Sequence, residues 1–148
     1  MADLIPVDEK TFVAGQIQPD ELAAIAAEGV TLIVNNRPDG EVPCGQPAAK
    51  EIEAEAGKHG MTFVNLPFVM ATLTPAHVAT FAEILTRADG RILAYCRTGN
   101  RSITLWAAAN VALGAPLDAV IAQAAEAGYD LRPAAAFIDG LGKSAVVE

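Results

Sequence analysis

The sequence predicts an α/β fold, a single domain with a mainly parallel sheet covered by helices. Three observations carry this expectation. Short apolar, β-branched runs alternate with helical patterns along the chain. One of them, Val30-Thr31-Leu32-Ile33-Val34, is apolar on both faces, as a strand buried in a covered sheet requires. The 148 residues contain no repeat and no low-complexity linker, which is enough for one continuous core and too little for two.

The elements follow in order. Thr11–Ala14 reads as a short strand, and Pro19-Asp20-Glu21 opens a helix through about Glu28, with proline and acids in its first turn and Gly29 as its stop. After the strand at Val30–Val34 comes the polar loop Asn35 to Glu41, then a helix from Pro47 to His59. Thr62–Leu66 is a further strand. Thr74-Pro75 caps a helix whose Val78, Phe81 and Leu85 share one face. Arg91–Tyr95 is the next strand, and Ser102 to about Leu113 the next helix, ended by Gly114. Leu117–Ala127 and Pro133–Leu141 close the chain as two helices. In such a sheet ligands bind beyond the carboxyl ends of the strands, where the loops after Val34 and Tyr95 can border one crevice.

Composition excludes several classes. The formal net charge of −8 repels nucleic acid and anionic membrane surfaces, so neither is expected as a partner. The stretch Met1 to Ile5 lacks a secretory signal, no run is apolar enough to span a bilayer, and a cytoplasmic location is expected. Cys44 and Cys96 are read as free thiols of a reducing compartment. No metal and no other cofactor is expected, because neither cysteine has a ligand partner at short spacing and His59 and His77 lie far from both.

Chemistry concentrates in Cys96-Arg97-Thr98-Gly99-Asn100-Arg101. A loop entering a helix N-terminus turns successive backbone N–H groups into one concavity, where the helix dipole also favours negative charge. A cysteine at its edge is placed for nucleophilic attack. Arg101 can grip a tetrahedral oxyanion with a planar fork of donors, Gly99 lets the backbone approach the substrate, and Ser102 can cap the helix or donate to the sulfur. Thr98 and Asn100 complete the binding loop, with Arg97 facing either substrate or solvent. The competing view is a buried cysteine followed by a polar turn.

The segment Tyr95 to Ser102 resembles the active loop of single-domain rhodaneses, in which a cysteine carries a persulfide between donor and acceptor. The wider chain resembles the bacterial phosphatase-like family of beta-lactamase-hydrolase-like proteins. Gly15-Gln16-Ile17, Asn35 to Glu41, the Cys96 loop and Gly128-Tyr129-Asp130-Leu131 carry that likeness. It implies a fold like that of dual-specificity cysteine phosphatases, and a persulfide dioxygenase as a partner.

Tyrosine-type phosphatases place five residues between cysteine and arginine, whereas four separate Cys96 from Arg101. Phosphoryl transfer also draws on a general acid, and Pro67-Phe68-Val69-Met70-Ala71-Thr72, the matching loop, has no carboxylate. The leading expectation is therefore transfer of sulfane sulfur from thiosulfate or a persulfide through a Cys96 persulfide. Phosphomonoester hydrolysis through a phosphocysteine, and a non-catalytic anion-binding module, are the alternatives. In each case the ligand is a small anion.

Around the loop, Arg37 can attract the anion while Asp39 or Glu41 orients Arg101, although Pro38-Asp39-Gly40 is turn chemistry by itself. Cys44 reads as an incidental thiol, His59 as a helix-end cation, His77 as exposed and Trp106 as core.

Overall fold

A computed structural model of the chain describes residues 2–147; Met1, where the N-terminal reading begins, and Glu148 lie outside them. Among the described residues the strands are β1 (Ile5–Pro6), β2 (Thr11–Ala14), β3 (Val30–Asn35), β4 (Thr62–Asn65) and β5 (Arg91–Tyr95). The helices are α1 (Leu22–Ala27), α2 (Ala49–Lys58), α3 (Pro75–Arg87), α4 (Asn100–Ala112), α5 (Leu117–Glu126) and α6 (Ala135–Ser144).

The strands form one sheet in the order β1-β2-β5-β3-β4. All pairs are parallel except β1 with β2, which runs antiparallel at the sheet edge. The register has a direct consequence for function. Tyr95 pairs with both Ala14 and Asn35, and Asn35 pairs with Asn65, so the four parallel strands end level. The loops that follow them therefore leave the sheet along a single rim, with β5 and its Cys96 loop in the middle.

Alternation along the strands divides the apolar residues between two cores. Leu93, Tyr95, Ile33 and Ala14 face Leu22 and Ile25 of α1 and Ile52 and Ala56 of α2. Ile92, Ala94, Val34 and Val13 face the larger layer of α3 to α6. Within that layer α4 is buried from Ser102 to Ala109 and again at Val111, and it packs against α3, α5 and α6. A helix this apolar all round belongs in an interior. Its approach to α6 is close enough that a Cβ on Gly142 would press on Val111 and stand 2.8 Å from the Ala108 carbonyl oxygen.

The expected elements are all present, with differences at their ends. β1 was not foreseen: two residues with a proline are too few to show a strand pattern, and an edge tolerates the missing N–H. Pro19–Glu21 and Arg132–Ala134 form 3₁₀ turns ahead of α1 and α6, which puts Pro133 before the last helix, and that helix runs on to Ser144. The helix read from Pro47 begins at Ala49. The helix after Cys96 begins at Asn100, two residues before Ser102, because Gly99 makes the entry turn at φ +90°. His77 is half-buried, its Nδ1 accepting from Thr74 N at 3.1 Å and its ring 5.7 Å from that of Phe68. None of the described helices is long and apolar enough to cross a membrane.

Trp106 is a core residue, 1% exposed, and its Nε1–H donates to Asp8 Oδ2 at 2.8 Å. The other Asp8 oxygen receives the backbone N–H groups of Lys10 and Thr11, which fixes the turn into β2. Trp106→Phe removes the donor and part of the packed volume. It is expected to lower unfolding stability by about 1–3 kcal/mol, read as a lower urea midpoint at unchanged slope.

Candidate active site

Cys96 follows the central strand and is 1% exposed. Its N–H donates to Ala14 O at 3.3 Å, which continues the β2–β5 pairing into the loop. The chain then turns back on itself so that Gly99 N–H donates to Cys96 Sγ at 3.1 Å. From Gly99 the chain enters α4, with Asn100 and Arg101 in its first turn. The sulfur thus sits where a backbone donor and the positive end of a long buried helix converge, as an anion cradle requires.

Arg101 is held from outside the cradle. Its Nη1 donates to Glu41 Oε2 at 2.9 Å and to Phe68 O at 3.1 Å, and its Nη2 donates to Glu41 Oε1 at 2.8 Å. These bonds take three of the five guanidinium N–H donors. The remaining Nε–H and second Nη2–H lie along one edge of the planar group, the fork that suits a tetrahedral oxyanion.

Arg37 closes the arrangement from behind. It is 5% exposed, with Nε donating to Glu41 Oε1 at 2.9 Å and Nη1 donating to Gln16 Oε1 at 3.0 Å. The Arg101 guanidinium, then partly the Arg37 guanidinium, hold the Glu41 carboxyl at a pKa of about 2, against an ordinary 4.5, in spite of its partial burial. The same bond to Glu41 raises the pKa of Arg101, so the pair stays ionised.

Two expectations need correction. The Ser102 hydroxyl neither caps the helix nor reaches the sulfur. It is fully buried and donates to Asn36 Oδ1 at 2.8 Å, because the helix starts earlier and turns Ser102 down towards the sheet. Asp39 does not orient Arg101: its Oδ1 accepts from Ala49 N at 2.9 Å and caps α2, and of these two acids it is Glu41 that holds the arginine. Arg37 belongs to the clamp and not to a solvated turn. Arg97, Thr98 and Asn100 stand exposed on the cradle rim, whereas Gly99 is buried in it.

The sequence reading gave no role to Asn36, Gln16, the Phe68 carbonyl or Tyr129. Asn36 is fully buried and stitches the floor: its N–H donates to Tyr95 O at 2.8 Å, and its Nδ2 to Leu66 O at 3.0 Å. A polar residue directly after a buried apolar strand was the available signal, since a buried amide must find partners. Among the described residues, no three His, Cys, Asp or Glu side chains are grouped to hold a metal ion. Both cysteines are free thiols, Cys44 exposed and Cys96 buried.

Residues 3–113 match the profile of the family described as beta-lactamase hydrolase-like protein, phosphatase-like domain. The chain belongs to this family. A beta-lactamase hydrolase-like protein of Agrobacterium fabrum is 33% identical over 102 residues, which is 69% of this phosphatase-like chain and 23% of that protein. The chain spans between 23% and 32% of the length of the curated relatives it matches. Among solved structures, a candidate phosphatase of Neisseria meningitidis is 31% identical, with a TM-score of 0.82 over 93% of this chain and 97% of that one. PTPMT1 in complex with PI(5)P is 18% identical, with a TM-score of 0.74 over 95% and 96% of the two chains, and shows the fold.

The phosphatase-like domain thus has the dual-specificity-phosphatase-like fold that its sequence implied. On chemistry, these likenesses stand nearer to phosphate esters, the alternative reading, than to the sulfur transfer expected first. Sulfur transfer is not among the things they show.

Two outcomes test the clamp. Arg101→Lys should lower turnover by about 10²-fold, as an ammonium cannot serve Glu41 and the anion together, while Arg97→Lys on the rim should stay within about threefold. Glu41 has a folded-state pKa below its unfolded one, so the stability it adds is present above about pH 4.5 and is lost as pH falls towards 2. The stability difference between wild type and Glu41→Gln, measured by denaturant titration, should accordingly be constant above about pH 5 and shrink below it.

Proposed function

We propose that the chain transfers sulfane sulfur through a persulfide on Cys96. The observation that supports this reading is the state of the two carboxylates on the loop after β3. Glu41 is clamped as an anion between Arg37 and Arg101, and Asp39 is bound to the N-terminus of α2. Pro67 to Thr72, with its 3₁₀ turn at Met70–Thr72, contributes a carbonyl and no acid. A phosphate ester with an alkoxide leaving group needs a proton donor to leave rapidly, an effect of about 10²–10⁴-fold. Sulfur transfer needs none.

The steps balance without a proton. The Cys96 thiolate attacks the outer sulfur of thiosulfate, forming an S–S bond as the bond to the sulfonate sulfur breaks. Sulfite leaves with the electron pair. Gly99 N–H and the free edge of Arg101 hold the sulfonate oxygens as charge shifts onto them. A thiolate acceptor then attacks the terminal persulfide sulfur, takes it as a new persulfide, and returns Cys96 to the thiolate. Thr98, Asn100 and Arg97 on the rim meet the acceptor or the outer end of the donor.

A persulfide dioxygenase as consumer of the product, and a reducing cytoplasm as the setting, belong to this proposal. They rest on the family resemblance and on the free thiols.

A second reading, phosphomonoester hydrolysis through a Cys96 phosphocysteine, is favoured by the comparisons, including PTPMT1 with bound PI(5)P. The non-catalytic alternative keeps the cradle without turnover.

Intact-mass measurement separates the three. Incubation with thiosulfate should raise the mass of the wild type, and not of Cys96→Ser, by one sulfur, with the adduct discharged by cyanide. Alkyl phosphates, whose alkoxide needs a proton to leave, should turn over slowly. Robust hydrolysis with a trapped phosphocysteine and no sulfur adduct would establish the second reading in place of the first. Anion binding that survives Cys96→Ser, with neither adduct formed in the wild type, would establish the binding module.

A further inference from the structure

The segment Gly128-Tyr129-Asp130-Leu131 takes no part in the chemistry above, yet it reaches the active loop from the far side of the fold. Tyr129 follows the end of α5, with its N–H bound to Ala124 O at 2.9 Å. The next residues are braced by the Asp130–Arg132 pair at 2.8 Å. From this fixed base the Tyr129 hydroxyl donates to Thr98 O at 3.2 Å. Its oxygen lies so near Gly99 that any Cβ there would overlap it.

Thr98 O is one of two carbonyls anchored on the outside of the loop. Arg97 O accepts from Gln16 N at 3.2 Å, an approach that Gly15 keeps open, since a Cβ on Gly15 would stand 3.0 Å from that oxygen. A trans peptide is planar with its C=O and N–H on opposite sides. Pinning a carbonyl outward therefore turns the next N–H inward. For the Thr98–Gly99 peptide the inward N–H is the one found 3.1 Å from Cys96 Sγ.

We propose that Tyr129 is a positioning residue for the anion cradle: its hydroxyl sets the Thr98–Gly99 peptide so that Gly99 N–H faces the sulfur and the bound oxyanion. Without that anchor the peptide is free to rotate, and the donor must be reordered each time an anion binds. Burial, and then the charge on Cys96, raise the pKa of the Tyr129 phenol, in keeping with its place as a donor. The inference rests on the loop being an anion cradle and is indifferent to which group is transferred.

Tyr129→Phe keeps the ring against Gly99 and deletes the donor. Two readouts apply: the Gly99 amide resonance in a nitrogen-15 spectrum, and the Kd for inorganic sulfate measured by protection of Cys96 from iodoacetamide. The variant should shift the Gly99 amide and weaken sulfate about fivefold, the worth of roughly one neutral hydrogen bond. Should the variant fail to fold, 3-fluorotyrosine incorporated into the wild type strengthens the phenol donor and should move the same amide in the opposite sense to its loss. An unmoved Gly99 amide with an unchanged sulfate Kd, or an amide indifferent to fluorination, overturns the proposal. Absence of both sulfur and phosphoryl turnover alongside a weakened sulfate Kd would overturn the proposed function and leave this one standing.

Discussion

The carboxylate of Glu41 is the point on which the arrangement around Cys96 turns. Its loop leaves the end of β3 and its partner Arg101 rises from the first turn of α4, so one ion pair joins two segments that are 60 residues apart in the chain. An exposed pair of this kind adds little to stability. Here the guanidinium of Arg37, only 5% exposed, stands behind the carboxylate, and both charges of the pair are fixed in direction. Arg101 would meet an incoming anion already oriented, and the binding free energy would not be drawn on to order it.

The same fixing separates electrostatics from acid–base chemistry. A carboxyl clamped between two cations, with a pKa of about 2, is a poor proton donor near neutral pH, and the stretch after β4 offers the Phe68 carbonyl in place of an acid. The comparisons stand nearer to phosphate esters, whereas the nearby carboxylates of Glu41 and Asp39 are engaged and offer no proton of the kind an alkoxide would need. The proposed persulfide intermediate would resolve that tension. Sulfite and thiolates would leave as stable anions, and the loop would then have only charge to manage.

How much of this could be read from the sequence depended on whether the signal was local. The strands Thr11–Ala14 and Arg91–Tyr95 were bounded correctly, because an apolar run closed by turn residues carries its own limits. The Cys96 loop was legible for the same reason, as was the pairing of the β3 loop with it across the strand ends. What escaped was the long-range use of short polar side chains. Nothing local distinguishes Asp39, which caps α2, from Glu41, which holds Arg101; only the level strand ends and the course of the chain to Ala49 decide it. Ser102 was misplaced because Gly99, at φ +90°, caps α4 three residues sooner than Ser102 would. Tyr129 lies 31 residues from the carbonyl it binds, so its motif could be noticed but not interpreted.

The helix that carries Arg101 is buried along nearly its whole length and pressed against α6 at Gly142, while the strand that leads into Cys96 lies at the centre of the sheet. Neither flank of the loop has room to slide. The diameter of the ring between them is thus inherited with the scaffold, and descent with modification can alter it only by insertion or deletion, not by point substitution. The frame is less confined: Val69 to Thr72, in the acid-free stretch after β4, and Gly128, in the turn after α5, are exposed. A family built on this plan would diversify by changing who approaches the sulfur and who donates a proton beside it, while the ring itself stayed one size.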